Sequence, residues 1–359
     1  MKSFIRALLV IVLLVAIGAV AGYMSLQAFL KTPASSSAEV VVFEVSPGQS
    51  FKAVVRGLES QGLIKNARVL ELYTRFTTGG PIVKVGEYAI PRNANPIEIM
   101  GIIRSGKSIE YPVTVAEGYN IFEVADVVER AKIASKEEFL ALVRDRKLVK
   151  ELTGEERASL EGYLFPETYN VTKFTGPVGL IRMMVARFNE NYAKATEGVT
   201  TTLSKHELVT LASIIEKETG APEERPLISS VFHNRLKLNM KLQTDPTVIY
   251  GVWEKTGVWN KNISRADLLT PNRYNTYTFS GLPYGPISNP GYEALRAAFV
   301  PAESDFLFFV SKNEGTHVFS KDFGAHQKAV NDFQVNKSAR EGKSWRDLKK
   351  RPKAAAQQK

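Results

Sequence analysis

The run Leu-Ala-Ser-Ile-Ile-Glu-Lys-Glu-Thr-Gly at residues 211–220 predicts the end of a helix that carries a carboxylic acid on its buried side. Ser204 followed three residues later by Glu207 has the spacing of a capping box, and Gly220 is a residue type that commonly ends helices. Between these limits, apolar residues at helical spacing define one face: Leu208, Leu211, Ala212 and Ile215. The run therefore predicts an amphipathic helix that stops near Gly220.

Two glutamates of this run, Glu216 and Glu218, have different predicted positions around the helix. At roughly 100° per residue, Glu218 falls about 45° from the centre of the apolar face and Glu216 more than about 100° away. Burial disfavours an ionised carboxyl group and raises its pKa, which is what a general acid at neutral pH requires. Glu218 is therefore the candidate catalytic residue, and Glu216 is expected to point out to solvent. The alternative for Glu218 is a solvated residue or half of an ion pair with Lys217 or Arg225.

The charge of the chain does not indicate a nucleic-acid partner. The formal net charge is +10, from 47 Lys and Arg against 37 Asp and Glu. Residues 336–359 hold nine of the basic residues and two of the acids. The rest of the chain is close to neutral, so it has no basic face for a polyanion. We expect residues 336–359 to be a basic disordered tail, with a tail that binds anionic polymer or lipid as the alternative.

The N-terminal segment predicts a membrane anchor. Residues 7–24 are an unbroken apolar stretch of eighteen residues, the length at which a helix spans a bilayer. Lys2 and Arg6 place residues 1–6 in the cytoplasm, so the segment assigned as the anchor, residues 7–29, makes a single-pass protein of the cell (inner) membrane. Its catalytic domain would then be extracytoplasmic or periplasmic. A cleaved signal peptide is the alternative, because Ala19-Val20-Ala21 resembles a cleavage site.

Two domains are predicted after a polar linker at residues 30–40. Residues 41–107 alternate strand and helix patterns, as in a small α+β module, and carry no group that looks reactive. Residues 108–335 form the larger domain, which holds Glu218. The predicted fold class is thus α+β: a transmembrane helix, a small α+β module and a larger α+β catalytic domain.

One aromatic segment in the larger domain has two interpretations. It reads Glu-Gly-Tyr-Leu-Phe-Pro-Glu-Thr-Tyr at residues 161–169. It is either a structural aromatic corner or a sugar-stacking edge of a cleft, because aromatic faces suit the apolar faces of pyranose rings.

Three further segments are rich in amide, hydroxyl and aromatic groups and poor in charge: residues 242–251, 272–277 and 281–291. This composition fits a groove that hydrogen-bonds a neutral polyhydroxylated ligand. We assign five residues to substrate binding and transition-state support: Gln243, Asp245, Tyr274, Asn275 and Tyr277. Asp245 also precedes a proline, as a helix cap does.

The sequence predicts no metal and no cofactor. It has no cysteine, its four histidines are scattered, and it contains neither a glycine-rich phosphate loop nor a G-x-S-x-G elbow.

Several of these motifs, in this order, resemble the hallmarks of the endolytic murein transglycosylases, the MltG or YceG-like family. They are Ala212–Thr219, the 242–251 run, Tyr274-Asn275-Thr276-Tyr277, and Gly281-Leu282-Pro283 with Gly285-Pro286-Ile287. The resemblance covers nearly the whole chain. It implies a LysM-like module at residues 41–107 and a YceG-like catalytic domain at 108–335. It also places the catalytic glutamate of the family on Glu218, the residue that its helical position selects.

The resemblance implies cleavage, without water, of the β-1,4 bond between N-acetylmuramic acid and N-acetylglucosamine within peptidoglycan glycan strands. Glu218 would protonate the leaving oxygen and then accept the proton of the muramyl 6-hydroxyl, which closes a 1,6-anhydro ring. One carboxylate suffices because the nucleophile belongs to the substrate, whereas an ordinary glycosidase needs two. Asp245 could overturn this, because a carboxylate across the cleft from Glu218 would permit hydrolysis.

Two other functions stay open: a hydrolase of the same polymer, and a noncatalytic wall-binding scaffold of the growth machinery. The partners implied by the resemblance are glycan strands, the membrane and cell-wall synthases, since the family is associated with terminating nascent strands.

Overall fold

The structure is a computed structural model that describes residues 2–77, 83–260 and 262–336 of the 359-residue chain. The chain divides into two compact units. The first contains the residues up to Pro112 together with Asn170–Thr175, and the second contains Val113–Tyr169 and the residues from Gly176 onward. The predicted tail at 336–359 lies, except for Asn336, outside the described residues. The units combine helices with two-stranded sheets, which confirms a mixed α and β architecture.

The described residues of the first unit combine four helices with a two-stranded sheet. Its elements are α1 (Lys2–Lys31), β1 (Val40–Val45), α2 (Phe51–Ser60), α3 (Ala67–Thr77), β2 (Gly86–Pro91), α4 (Pro96–Ser105) and the start of β3 (Tyr111–Thr114). β1 and β2 are antiparallel, with Val40 opposite Pro91 and Val45 opposite Gly86. Ser50 caps α2, and Asn95 with Glu98 forms a capping box on α4.

The end of α1 belongs to the core of the first unit. Leu30 is 1% exposed and lies in the same apolar cluster as Phe43, Leu58 and Ile90. The predicted linker at residues 30–40 is therefore too long at its start, because the helix continues to Lys31 and its last apolar residues pack on the module. The helix from Phe4 to Lys31 is long and apolar enough to cross a membrane, with a mean hydropathy of 2.8 in its most apolar window.

The second unit is mainly helical. Its elements are α5 (Ile121–Arg130), α6 (Lys136–Leu142), α7 (Arg146–Thr153), β4 (Thr168–Val171), α8 (Gly176–Thr196), α9 (Lys205–Glu218), α10 (Arg225–Lys237), α11 (Asp245–Thr256), α12 (Arg265–Leu269), α13 (Tyr292–Phe299), β5 (Phe308–Ser311), β6 (His317–Ser320) and α14 (Phe323–Val330). β3 pairs with β4, and the boundary between the units falls within these strands. β5 and β6 form an antiparallel hairpin, with Phe308 opposite Ser320.

Helix α9 is the central element of this unit. Its predicted capping box is present, since the Ser204 hydroxyl accepts from the Glu207 amide and the Glu207 carboxylate accepts from the Ser204 amide. α13, α10 and α11 pack on it. Every residue from Leu208 to Ile215 is buried, so the helix has no solvated face along this stretch, and the amphipathic prediction is wrong there. It ends at Glu218 because Thr219 has an extended backbone, two residues before the predicted stop.

The aromatic segment at residues 161–169 is a structural corner. Tyr163, Phe165 and Tyr169 are buried, and the Tyr169 hydroxyl donates to the Phe165 carbonyl at 2.5 Å. Gly162 has a φ of 84°, and a Cβ there would come within 2.6 Å of the Pro286 side chain, so a glycine is required at this turn. The alternative of an open sugar-stacking edge is therefore wrong for this segment.

A matched pair on α3 tests the core of the first unit. Leu70 is fully buried, whereas Leu72, two residues on, is 47% exposed. We expect Leu70→Ala to lower the free energy of opening of this unit by about 2–5 kcal/mol because it leaves a cavity, and Leu72→Ala to change it by less than about 0.5 kcal/mol. Hydrogen exchange of peptides from residues 40–107 measures both. Equal effects would show that α3 does not pack by its Leu70 face.

Candidate active site

Glu218 lines a cavity of about 380 Å³ in the second unit. The other polar side chains of the cavity are Arg235, Gln243, Thr244, Asp245, Tyr277 and His326. The apolar side chains are Phe232, Leu242, Phe308, Phe309 and Phe323. The cavity thus brings together four of the six residues that the sequence selects: Glu218, Gln243, Asp245 and Tyr277.

Two hydrogen bonds hold the segment between α10 and α11 against Thr276 of the 272–277 segment. The Gln243 amide donates to the Thr276 carbonyl at 3.2 Å, and the Thr244 amide donates to the Thr276 hydroxyl at 3.1 Å. Gln243 has a φ of 47°, in the left-handed region that a non-glycine residue adopts at a cost. Such strained residues cluster at functional sites, where the surrounding structure enforces them. This backbone turn presents Thr244 to Glu218.

The Glu218 carboxyl has an environment that favours its protonated form. Removal of the group from bulk solvent, together with the negative charge of Asp245, raises the pKa of Glu218 to about 7. The Thr244 hydroxyl, which donates to Glu218 Oε1, and the positive charge of Arg235 act in the opposite direction and limit the rise of this pKa. Glu218 can therefore both give and take a proton near neutral pH, as an acid–base catalyst must.

Asp245 is the second carboxylate of the cavity. It is exposed and stands at the first position of α11, with Thr244 as the N-cap residue, so the helix-cap interpretation of Asp245 is wrong by one position. The Tyr277 hydroxyl donates to Asp245 Oδ1 at 2.5 Å. Burial and this acceptor raise the pKa of the Tyr277 hydroxyl, which stays protonated and orients the carboxylate.

Arg235, which sequence reasoning missed, is a buried cation at the cavity wall. Its guanidinium donates to the Leu307 carbonyl and to the Leu242 carbonyl, each at 2.7 Å, and lies 5.3 Å from the centre of the Phe308 ring. Burial lowers its pKa, but an arginine remains charged at neutral pH. Nothing in the spacing of α10 distinguishes this arginine from a solvated one. Thr244 was missed as well, although it lies inside the quoted 242–251 run.

The structure does not bring Tyr274 and Asn275 to this cavity, as far as its described residues extend. Asn275 is fully buried, and its side-chain amide donates to the carbonyls of Asp267, Leu268 and Thr270. Its oxygen accepts from the Tyr277 amide at 3.0 Å. Tyr274 is buried edge-on against Tyr250, with 4.8 Å between ring centres, and lines a separate cavity of about 220 Å³. These contacts indicate positioning roles rather than contact with a ligand beside Glu218.

The Glu216 side chain is withdrawn from solvent, and the prediction that it points out to solvent is wrong. Its side chain is 7% exposed, accepts from the Gly291 amide at 3.1 Å and pairs with Arg225 at 3.4 Å. The helix periodicity could not show this because the covering residues come from α10 and the 281–291 segment. Arg225, considered above as a partner of Glu218, thus pairs with Glu216, while Lys217 donates to the Gly118 carbonyl.

The described part of the chain contains no cluster of three or more acidic or histidine side chains that could hold a metal ion. The cavity has instead one titrating acid, a second carboxylate, a buried cation and aromatic walls. This set can transfer a proton and stabilise a developing positive charge on a neutral ligand.

Comparison with known proteins gives one consistent result. The model of the YceG-like family matches residues 43–332. The endolytic murein transglycosylase of Bacillus subtilis is 30% identical over 330 residues, which are 87% of this chain and 90% of that protein. The protein of that name from Streptococcus pneumoniae strain D39 is 28% identical over 92% of this chain, which spans 65% of its length. A crystal structure of a YceG-like protein from Listeria monocytogenes matches with a TM-score of 0.56 and 30% identity, over 81% of this chain and 99% of that one. The chain belongs to the YceG-like family.

Proposed function

We propose that this protein is an endolytic murein transglycosylase, a lyase that cleaves the β-1,4 bond between N-acetylmuramic acid and N-acetylglucosamine within glycan strands. The names of its relatives support the substrate. The observation that carries the mechanism is the Glu218 carboxyl, withdrawn from solvent beside a hydroxyl donor, with a pKa raised by burial to about 7.

In the first step, protonated Glu218 gives its proton to the glycosidic oxygen as the bond from that oxygen to the muramyl C1 breaks. Positive charge develops on the muramyl ring. Asp245, held by the Tyr277 hydroxyl, supplies a carboxylate in the same cavity that stabilises this charge. The Thr244 hydroxyl and the Arg235 charge stabilise the new Glu218 carboxylate.

In the second step, the oxygen of the muramyl 6-hydroxyl attacks C1 and its proton passes to the Glu218 carboxylate. The product is a 1,6-anhydro end, no water is consumed, and the enzyme returns to its protonated form. A single acid–base residue is enough for both transfers because the nucleophile is part of the substrate.

A hydrolase of the same polymer is the second candidate, and the position of Asp245 favours it. An inverting or retaining glycosidase needs a second carboxylate near its acid, and Asp245 lines the cavity of Glu218. The two reactions differ by one water in the product, so the product decides between them.

The first unit bears on where the enzyme acts. We propose that α1 anchors the chain in the cell (inner) membrane, with its N-terminus in the cytoplasm and the catalytic unit extracytoplasmic or periplasmic. The strand–helix–helix–strand order of β1, α2, α3 and β2 supports a LysM-like, glycan-binding module. Such an enzyme would terminate nascent strands beside the synthases that make them.

Mass spectrometry of isolated glycan strands tests this function. We expect the wild-type chain to release anhydro-muramyl ends and Glu218→Gln to lose at least about 100-fold of the activity, because proton transfer typically contributes 10²–10⁴-fold. Asp245→Asn should still yield anhydro ends at a lower rate. Products heavier by one water, lost in Asp245→Asn, would instead identify a hydrolase.

Glu216→Gln is the matched control for Glu218→Gln. The amide keeps an acceptor for the Gly291 amide but removes the charge that faces Arg225. We expect a loss of stability of about 1–3 kcal/mol with turnover retained in the folded fraction. A folded Glu216→Gln protein without activity would move the acid–base role to Glu216.

Two variants should shift the pH profile in opposite directions. Glu218 acts first as an acid, so activity should fall as pH rises through about 7. Thr244→Val removes a hydrogen bond that favours the carboxylate, which should move this alkaline limb to higher pH. Asp245→Asn removes a negative charge that raises the pKa of Glu218 and should move the limb to lower pH. A limb that stays in place in both variants would belong to another group.

The raised pKa of Glu218 should also make stability depend on pH. An unfolded glutamate loses its proton near pH 4.5 and the folded Glu218 near pH 7. The contribution of this group to stability is therefore full below pH 4.5 and is lost as pH rises to 7. Relative to wild type, Glu218→Gln should gain about 1–3 kcal/mol between pH 4.5 and 8. Urea unfolding followed by tryptophan fluorescence measures this, and parallel pH curves for the two proteins would contradict it.

A further inference from the structure

Aromatic side chains from β5 and α14 form one wall of the cavity that holds Glu218. We call Phe308, Phe323 and His326 the aromatic wall. The ring centres of Phe308 and Phe323 are 5.9 Å apart with an interplanar angle of 62°, and those of Phe308 and His326 are 5.0 Å apart at 22°. The three rings therefore make one contiguous surface rather than three separate contacts.

Phe323 is the member of the aromatic wall that remains open to a ligand. It is 64% exposed, whereas Phe308 is half-buried between the Arg235 guanidinium, 5.3 Å from its centre, and the His326 ring. A single exposed apolar side chain is ordinary on a protein surface. Phe323 differs because it lines the same cavity as the candidate acid.

The backbone that carries Phe323 is held in place. Phe323 is the first residue of α14, and Asp322 caps this helix by accepting from the Ala325 amide at 2.9 Å. The Phe308 contact holds the ring from the hairpin side. An aromatic side chain with a fixed backbone loses little conformational entropy on binding, which suits it to present a flat surface.

The cavity offers both kinds of contact that a sugar residue uses. A pyranose ring has apolar C–H faces, which an aromatic ring can cover, and hydroxyl and acetamido groups at its edges. Gln243 and Asp245 are exposed polar residues of the same cavity. A phenyl ring has no polar atom, so stacking is the contact that Phe323 can add to theirs.

We propose that Phe323 is a sugar-stacking residue that packs on the face of a pyranose ring of the glycan strand held beside Glu218. The inference rests on the proposed function for the identity of the ligand. It replaces the 161–169 segment, whose aromatic rings are buried, as the place where the protein stacks on sugar.

Binding without turnover tests this directly. The full-length chain in detergent micelles, carrying Glu218→Gln, is titrated with isolated glycan strands by calorimetry. Adding Phe323→Ala should weaken binding by about 3–10-fold, the range expected for one aromatic stacking contact. Adding Phe323→Trp should restore it. Leu269→Ala is the matched control, because Leu269 is 67% exposed in α12 of the same unit and is not among the cavity-lining residues named above.

The outcomes separate this inference from the proposed function. Three results would each overturn the stacking role of Phe323. They are an equal affinity of the Phe323→Ala and parent proteins, an equal loss of affinity in Leu269→Ala, and no binding by the parent protein. If the wild-type protein releases anhydro ends but binding does not depend on Phe323, the proposed function is supported and the stacking role of Phe323 is refuted. If binding depends on Phe323 but the wild-type protein cleaves no glycan, the stacking role is supported and the proposed function is refuted. In active protein, the expected change for Phe323→Ala is a higher KM with a smaller effect on kcat.

Discussion

The interaction on which the second unit depends is that of the Glu218 carboxyl, at the end of a helix whose central stretch is buried on every side. α9 is buried from Leu208 to Ile215, and of its last three residues only Lys217 is exposed. Withdrawing a carboxyl group from water is costly unless it is protonated or paired. Glu218 can be protonated or ionised near neutral pH. Burial raises its pKa to about 7, while the Thr244 hydroxyl and the Arg235 charge stabilise the ionised form. Both partners come from the region between the end of α9 and α11: Arg235 is in α10, and Thr244 is the N-cap residue of α11.

Two glutamates in one helical turn show how partners decide a role. Glu216 and Glu218 are both withdrawn from solvent, and burial raises the pKa of each. Glu216 faces a guanidinium and a backbone amide, which tie it to α10 and to the 281–291 segment. Glu218 faces a neutral hydroxyl and a cavity. The first arrangement fixes a charge in place, and the second leaves a proton free to move.

The sequence predicts the features that depend on local chemistry. The capping box of α9, the approximate end of the helix and the choice of Glu218 follow from spacing and residue type, and Gln243, Asp245 and Tyr277 follow from composition near it. What depends on distant covering residues could not be predicted. Arg225 and Gly291 cover Glu216, and the carbonyls of Leu242 and of Leu307, the residue before β5, hold Arg235 at the cavity. Periodicity describes one helix and carries no information about what packs on its other side.

Composition also does not distinguish residues that bind a ligand from residues that position the binding residues. Asn275 is an example of the second kind. Its side-chain NH₂ group donates to three carbonyls, its oxygen accepts from one backbone amide, and the residue is fully buried, so substrate cannot reach it. Yet it sets the backbone of Tyr277, whose hydroxyl orients Asp245, whose charge in turn raises the pKa of Glu218. Asn275 lies outside the cavity, but through these contacts it can influence the pKa of Glu218. The proposed mechanism transfers one proton twice and needs an acid whose pKa is near neutral. Burial is the main cause of the raised pKa of Glu218, and this chain of contacts adds to it through the charge of Asp245.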